Sequence, residues 1–142
     1  MKTTFSLIAF TVLITACGNK NKTTNDPMES LQGRYEVTAL EGTTLEEGID
    51  IWLNFDMEES RVNGKAACNT FFGSFTQEGE SIQMGQMGST MMACPDPLME
   101  YERRFLDLIS AVTTVGGNGD ELLLKNEEEK VLITATKSTE EE

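Results

Sequence analysis

The sequence predicts a mainly β fold, a compact antiparallel β-barrel-like sheet with one α-helix packed against it. Ile49, Ile51, Leu53, Phe55 and Met57 alternate with Asp50, Trp52, Asn54 and Asp56, the period-2 pattern of a strand with one buried face. Glycine turns punctuate the candidate strands at Glu41-Gly42, Glu47-Gly48, Asn63-Gly64, Glu78-Gly79 and Gly116-Gly117-Asn118-Gly119. Such close spacing favours antiparallel hairpins, because parallel pairing needs long crossovers, and closing the sheet would pair its edges. Leu98, Tyr101, Phe105, Leu108 and Val112 recur at spacings of three and four, which predicts the single helix.

Taken from the N-terminus, Lys2 is followed by the apolar run Phe5 to Ala16 and then by Cys17 and Gly18. The run falls short of the roughly 20 apolar residues of a membrane-spanning helix. It resembles a bacterial lipoprotein signal peptide, which implies cleavage after residue 16 and acylation of Cys17 on its thiol and amino group. Several acyl chains on one residue give stable anchoring, where a single chain binds only marginally. Gly18 directly after the cysteine implies, by the same resemblance, an outer-membrane address in a Gram-negative cell, facing the periplasm. Residues 17–30 are polar, with Met28 the only large apolar side chain, and read as a flexible linker. The folded domain is expected over 31–136, and residues 137–142 form a short acidic tail.

Within that domain, Tyr35, Val37 and Ala39 alternate with Arg34, Glu36 and Thr38, and Val131, Ile133 and Ala135 repeat the pattern near the end. Further strands are expected at Arg61 to Asn63, Thr70 to Thr76, Ser81 to Met84 and Glu121 to Lys125. Trp52 lies on the outer face of its strand, where it can cover a neighbouring strand or join a contact surface. Asp96 is placed to cap the helix with Pro97 in its first position, and Glu100 to Arg104 forms an i,i+4 pair on the solvent face.

Composition removes several function classes. Lys and Arg number 11 against 24 Asp and Glu, for a net charge of -13, which repels nucleic acid. The chain has no histidine, so serine-histidine and cysteine-histidine machinery and the usual zinc hydrolase site cannot be built. No glycine-rich loop joins a strand to a helix in a phosphate-binding pattern. The acidic residues fall in turns, on the exposed helix face or in the tail, where each reads as a solvated charge.

Asn63-Gly64-Lys65-Ala66-Ala67-Cys68-Asn69-Thr70-Phe71-Phe72-Gly73-Ser74-Phe75 resembles the glycine, cysteine-asparagine and aromatic-glycine-aromatic signature of META domains, the group that includes the HslJ-type lipoproteins. Ser89-Thr90-Met91-Met92-Ala93-Cys94-Pro95 and the helix with Glu102, Phe105 and Leu108 resemble the second half of that signature, and Leu31-Gln32-Gly33-Arg34-Tyr35-Glu36-Val37 its opening. Two positions depart from the pattern: Tyr35 stands where tryptophan is common, and Met91 where a basic residue is. The resemblance implies a barrel-like antiparallel sheet with one helix, an envelope or secreted setting linked to stress tolerance, and no accepted catalytic reaction.

In an oxidising envelope compartment Cys68 and Cys94 are candidates for a disulfide, with two buried thiols as the alternative. A bridge closing that loop would stabilise the fold by roughly 3.5 kcal/mol in the chain-entropy model. Met84, Met87, Met91, Met92, Cys94 and Met99 share a short window; thioether and thiolate ligands select Cu(I), whereas methionines are also adaptable packing. The expectation is a non-catalytic, lipid-anchored envelope protein without cofactor or metal, contributing to envelope integrity or stress tolerance through protein contacts. Its partners would be the membrane, through the N-terminal lipid, and another envelope protein. The alternative is a periplasmic carrier of a small ligand or Cu(I), using the barrel mouth or segment 84–99. An interior filled by Phe55, Phe71, Phe75 and Leu124 favours the first reading, and an open cavity the second.

Overall fold

The computed structural model describes residues 31–139; Cys17 and the expected leader and linker lie outside them. The elements are β1 (Gly33–Leu40), β2 (Thr43–Thr44), β3 (Ile51–Asp56), β4 (Arg61–Ala66), β5 (Asn69–Glu78), β6 (Ser81–Ser89), α1 (Leu98–Ser110), β7 (Thr114–Asn118), β8 (Glu121–Lys125) and β9 (Val131–Lys137). All strand pairings are antiparallel, in the order β2-β1-β3-β4-β5-β6-β7-β8-β9, and β1 also pairs with β9. The sheet therefore curves into a ring. Its thinnest seam is β6–β7, with one paired position, Ser81 opposite Thr114. Backbone bonds from Ile82 N to Thr113 O (3.0 Å) and from Val115 N to Glu80 O (2.7 Å) hold it. Helix α1 is the crossover that makes this seam.

Alternation sets the inside of the ring. Ile51, Leu53 and Phe55 of β3 are buried, and Tyr35, Val62, Phe71, Phe75, Ile82, Leu122 and Leu124 join them from other strands. Phe55 packs edge-on against Tyr35 and Phe75, at centroid distances of 6.3 and 5.1 Å, and Phe71 against Phe105 of α1 at 5.1 Å. Of the two alternatives, a filled interior or an open cavity, these four side chains are the filled one: Phe55 and Leu124 are 0 % exposed, Phe71 1 % and Phe75 3 %. Outside, the Arg34 guanidinium lies 4.1 Å from the centre of the Trp52 ring. Trp52 thus covers the neighbouring strand β1, the cross-strand reading of that residue.

Several local expectations are corrected. β1 does not alternate to its end. A bulge between Val37 and Ala39 leaves Thr38 unpaired, so that Leu40 is buried and Ala39 only half-buried. β9 has an irregularity opposite Leu124 and Lys125, which lets the consecutive residues Leu132 and Ile133 both face inward. Asn63-Gly64 is not a turn but the middle of β4, opposite Asn54-Leu53 and Phe72-Phe71. The β3–β4 turn is instead closed by the Asp56 carboxylate, which accepts from the amides of Glu58 (3.0 Å) and Glu59 (3.1 Å). Gly116, Gly117 and Asn118 belong to β7, opposite Leu123, Leu122 and Glu121.

Asp96 does not cap the helix. Pro97 occupies the cap position without a side-chain cap bond, and the amide of Leu98 bonds the Pro95 carbonyl at 3.1 Å instead. The buried face of α1 is Glu102, Phe105 and Ile109, rotated from the expected stripe; Leu98, Tyr101 and Leu108 are half-buried. Arg104 pairs with Glu41 (3.2 Å), not Glu100, and Lys130 binds the same carboxylate at 2.7 Å. This clamp ties the helix to the β1–β2 and β8–β9 turns.

The hydrogen bonds from Lys130 and Arg104 hold the Glu41 carboxyl below its ordinary value of 4.5. A group whose folded-state pKa is depressed stabilises the fold above its unfolded pKa and loses that contribution as pH falls through the folded value. Glu41→Gln is therefore expected to lower the melting temperature slightly at pH 7. The difference from the parent should shrink as the pH is taken below 4.5, and thermal melts across pH 3 to 7 check this.

Candidate functional site

The two cysteine-bearing segments and the helix meet where β4 turns into β5. The β4–β5 turn places Ala67 in the left-handed region (φ 67°), which swings Cys68 and Asn69 toward the loop that leads into α1. Cys68 is joined to Cys94 with Cα atoms 6.1 Å apart. Asn69 is 1 % exposed and Glu102 6 %, and they bond directly. The Glu102 carboxylate accepts from the Asn69 backbone amide (2.7 Å) and from its side-chain nitrogen (2.9 Å). The Asn69 nitrogen also donates to the Met92 carbonyl (3.1 Å). Its oxygen accepts from the Met92 amide (2.7 Å) and the Thr90 hydroxyl (2.9 Å). Every donor and acceptor of this side chain is used, as burial requires.

Three separate pieces of chain are thereby fixed to one amide. The strand turn is held by Asn69, the loop by Thr90 and Met92, and the helix by Glu102; the disulfide crosslinks turn and loop a second time. Glu102 corrects the reading of all acidic residues as solvated charges. Its signal was present in the sequence: it lies three residues before Phe105 and seven before Ile109, on the inward line of the helix. For the disulfide, the 26-residue separation corresponds to about 3.5 kcal/mol. Reduction with a phosphine should lower the urea midpoint and raise the m-value somewhat, because the denatured chain expands once the crosslink is opened.

The methionine window is dispersed by the fold. Met84 and Met87 pack against the core, and Met87 lies across Gly73, whose missing side chain leaves the space for its sulfur. Met99 is half-buried. Met91 is 96 % exposed and Met92 60 %. Cys94 is bonded to Cys68, so it offers no thiolate in this state.

Around the outside of β3 to β6 runs an open groove of about 700 Å³, lined by Asn54, Asp56, Arg61, Asn63, Phe72 and Ser74 among others. Strand alternation puts these side chains on one face. The Asn54 and Asn63 amides bond each other at 3.3 Å. Phe72 is 60 % exposed and rests over Gly88, where a β-carbon would touch the ring at 2.9 Å. Sequence reading placed Phe72 within a signature and missed its exposure. Its position one residue out of phase with buried Phe71 was the available signal.

A closed antiparallel ring with a filled interior, one sealing helix and a buried turn–loop–helix knot defines a β scaffold whose free chemistry is on its outer surface. The META domain model matches residues 28–139, and the chain belongs to the META domain family. Its fold is similar to a protein from Burkholderia xenovorans solved by NMR, with a TM-score of 0.61 and 21 % identity over 78 % of this chain and 85 % of that one. It is also similar to a DUF4847 family protein from Bacteroides vulgatus, with a TM-score of 0.57 and 13 % identity over 78 % and 96 % of the two chains. Comparison with curated protein sequences finds no match.

Proposed function

We propose that this META-domain protein is a non-catalytic, lipid-anchored component of the cell envelope that contributes to envelope integrity or stress tolerance by contacting another envelope protein. The observation that supports contact rather than carriage is the interior: Phe55, Phe71, Phe75 and Leu124 occupy it, which directs recognition to the outside. There the groove offers one exposed aromatic, Phe72, among amide, carboxylate and guanidinium groups. An aromatic anchor within a polar rim is the usual anatomy of a protein contact. The Cu(I) alternative retains less, since Met84 and Met87 are packed on the core and Cys94 is bonded. The anchoring and the address rest on the Cys17 segment, outside the described residues.

The test uses the full chain in intact cells, with a photoreactive phenylalanine at position 72 and, as control, at Glu127. The expected result is a discrete adduct to an envelope protein at position 72, absent at 127. Intact-mass analysis of the same material should show Cys17 as an acylated N-terminus. Equal labelling at both positions would overturn the contact surface, and an unmodified Cys17 behind an intact leader would overturn the anchor.

A further inference from the structure

Two neighbouring thioethers stand out of the loop between β6 and α1. Met91 is 96 % exposed and Met92 60 %, and neither belongs to the core or to the groove residues. Exposure decides thioether oxidation, because the oxidant must reach the sulfur directly. Met84 and Met87, by contrast, are half-buried against the core, where conversion to a polar sulfoxide would disrupt packing. The two domain cysteines are already joined. Within segment 84–99 the doublet is therefore the sulfur that an incoming oxidant meets first.

The anchoring of Met92 matters as much as its exposure. Asn69 holds Met92 by its backbone alone, accepting from its amide at 2.7 Å and donating to its carbonyl at 3.1 Å. Chemistry at the side chain leaves both bonds in place.

We propose that the Met91–Met92 doublet is a modification site, a renewable surface sink for two-electron oxidants of the hypohalous acid class that spares the core methionines. In each turn the thioether sulfur attacks the oxygen of hypochlorous acid. An S–O bond forms, the O–Cl bond breaks, chloride departs with the bonding electron pair, and the hydroxyl proton passes to water. Sulfur loses two electrons and chlorine gains two. The sulfoxide returns to the thioether through methionine sulfoxide reductases, one for each epimer, with a dithiol oxidised to a disulfide as it supplies the two electrons and the oxygen leaving as water.

The experiment titrates the intact folded protein with hypochlorous acid and maps each methionine by peptide mass. Sulfoxide at Met91 and Met92 should accumulate about tenfold ahead of Met84 and Met87, with the melting temperature unchanged, and the two reductases should reverse it. The variant Met91→Leu/Met92→Leu should fold normally and should lose its melting transition about two molar equivalents of oxidant earlier, the capacity of two sulfurs. Simultaneous oxidation of the core methionines in the parent, a fall in melting temperature when only the doublet is oxidised, or identical dose curves for parent and variant would each overturn the proposal.

Discussion

Asn69→Asp is expected to destabilise the domain by about 4–5 kcal/mol, more than Asn69→Ala at about 3–4 kcal/mol, though it is nearly isosteric. The order follows from the knot. In the parent the Asn69 nitrogen donates to Glu102 at 2.9 Å and to the Met92 carbonyl at 3.1 Å. Alanine removes those donors and the acceptor for Thr90 and Met92, leaving a nearly buried carboxylate with the Asn69 backbone amide as its only remaining partner of the two. Aspartate keeps the acceptor but sets a second carboxylate against Glu102, where like charges oppose one another in a dry setting. Urea midpoints at constant m-value measure both substitutions. A double-mutant cycle adds the deciding number. Asn69→Ala/Glu102→Ala should cost at least about 1 kcal/mol less than the sum of the single changes, because residues in one hydrogen-bonded network couple. Strict additivity would mean that Asn69 and Glu102 stabilise the fold independently, and the knot would not be a unit.

The parts of the fold that were legible in the sequence are those where a local pattern and the tertiary environment ask for the same thing. β3 alternates because one face meets a filled interior and the other meets β1 side chains and water, and its buried residues are those the alternation names. β8 was bounded correctly at Glu121–Lys125. The errors cluster where two signals compete. Asn63-Gly64 carries a strong turn signature, yet in β4 the glycine is selected by crowding inside the ring. β7 is glycine-rich and of low strand propensity, and it is held by pairing with the leucines of β8. Bulges in β1 and β9 shift which residues face inward, and nothing in a period-2 pattern announces an extra residue. Of the knot, the sequence contained every member, but not the fact that Asn69 and Glu102, 33 positions apart, would share bonds. That distance is closed by the ring, and no local periodicity encodes it.

Gly64→Ala shows most sharply what a turn-like glycine does inside a strand. Gly64 lies opposite Leu53 of β3 and Phe71 of β5, facing the interior. A β-carbon built there would meet the Trp52 carbonyl oxygen and would stand 2.9 Å from Cε1 of the Phe71 ring. The ring could turn in an open site. Here Phe71 is 1 % exposed and packs edge-on against Phe105 of α1, so its movement would be passed to the helix. The Trp52 carbonyl is backbone and has no rotamer to change. Overpacking in a core that can adjust costs about 1–3 kcal/mol, and a site walled by backbone on one side and a pinned aromatic on the other should exceed that, at about 4 kcal/mol or more. Gly79, in the β5–β6 turn, is the control for backbone preference: its φ is 59° and nothing stands within 4 Å of its β-carbon position. Gly79→Ala should cost about 1 kcal/mol from the left-handed backbone alone. Chemical denaturation of the two variants separates crowding from conformation. If Gly64→Ala were no worse than Gly79→Ala, the ring would be looser around Phe71 than the packing of its aromatic side chains indicates.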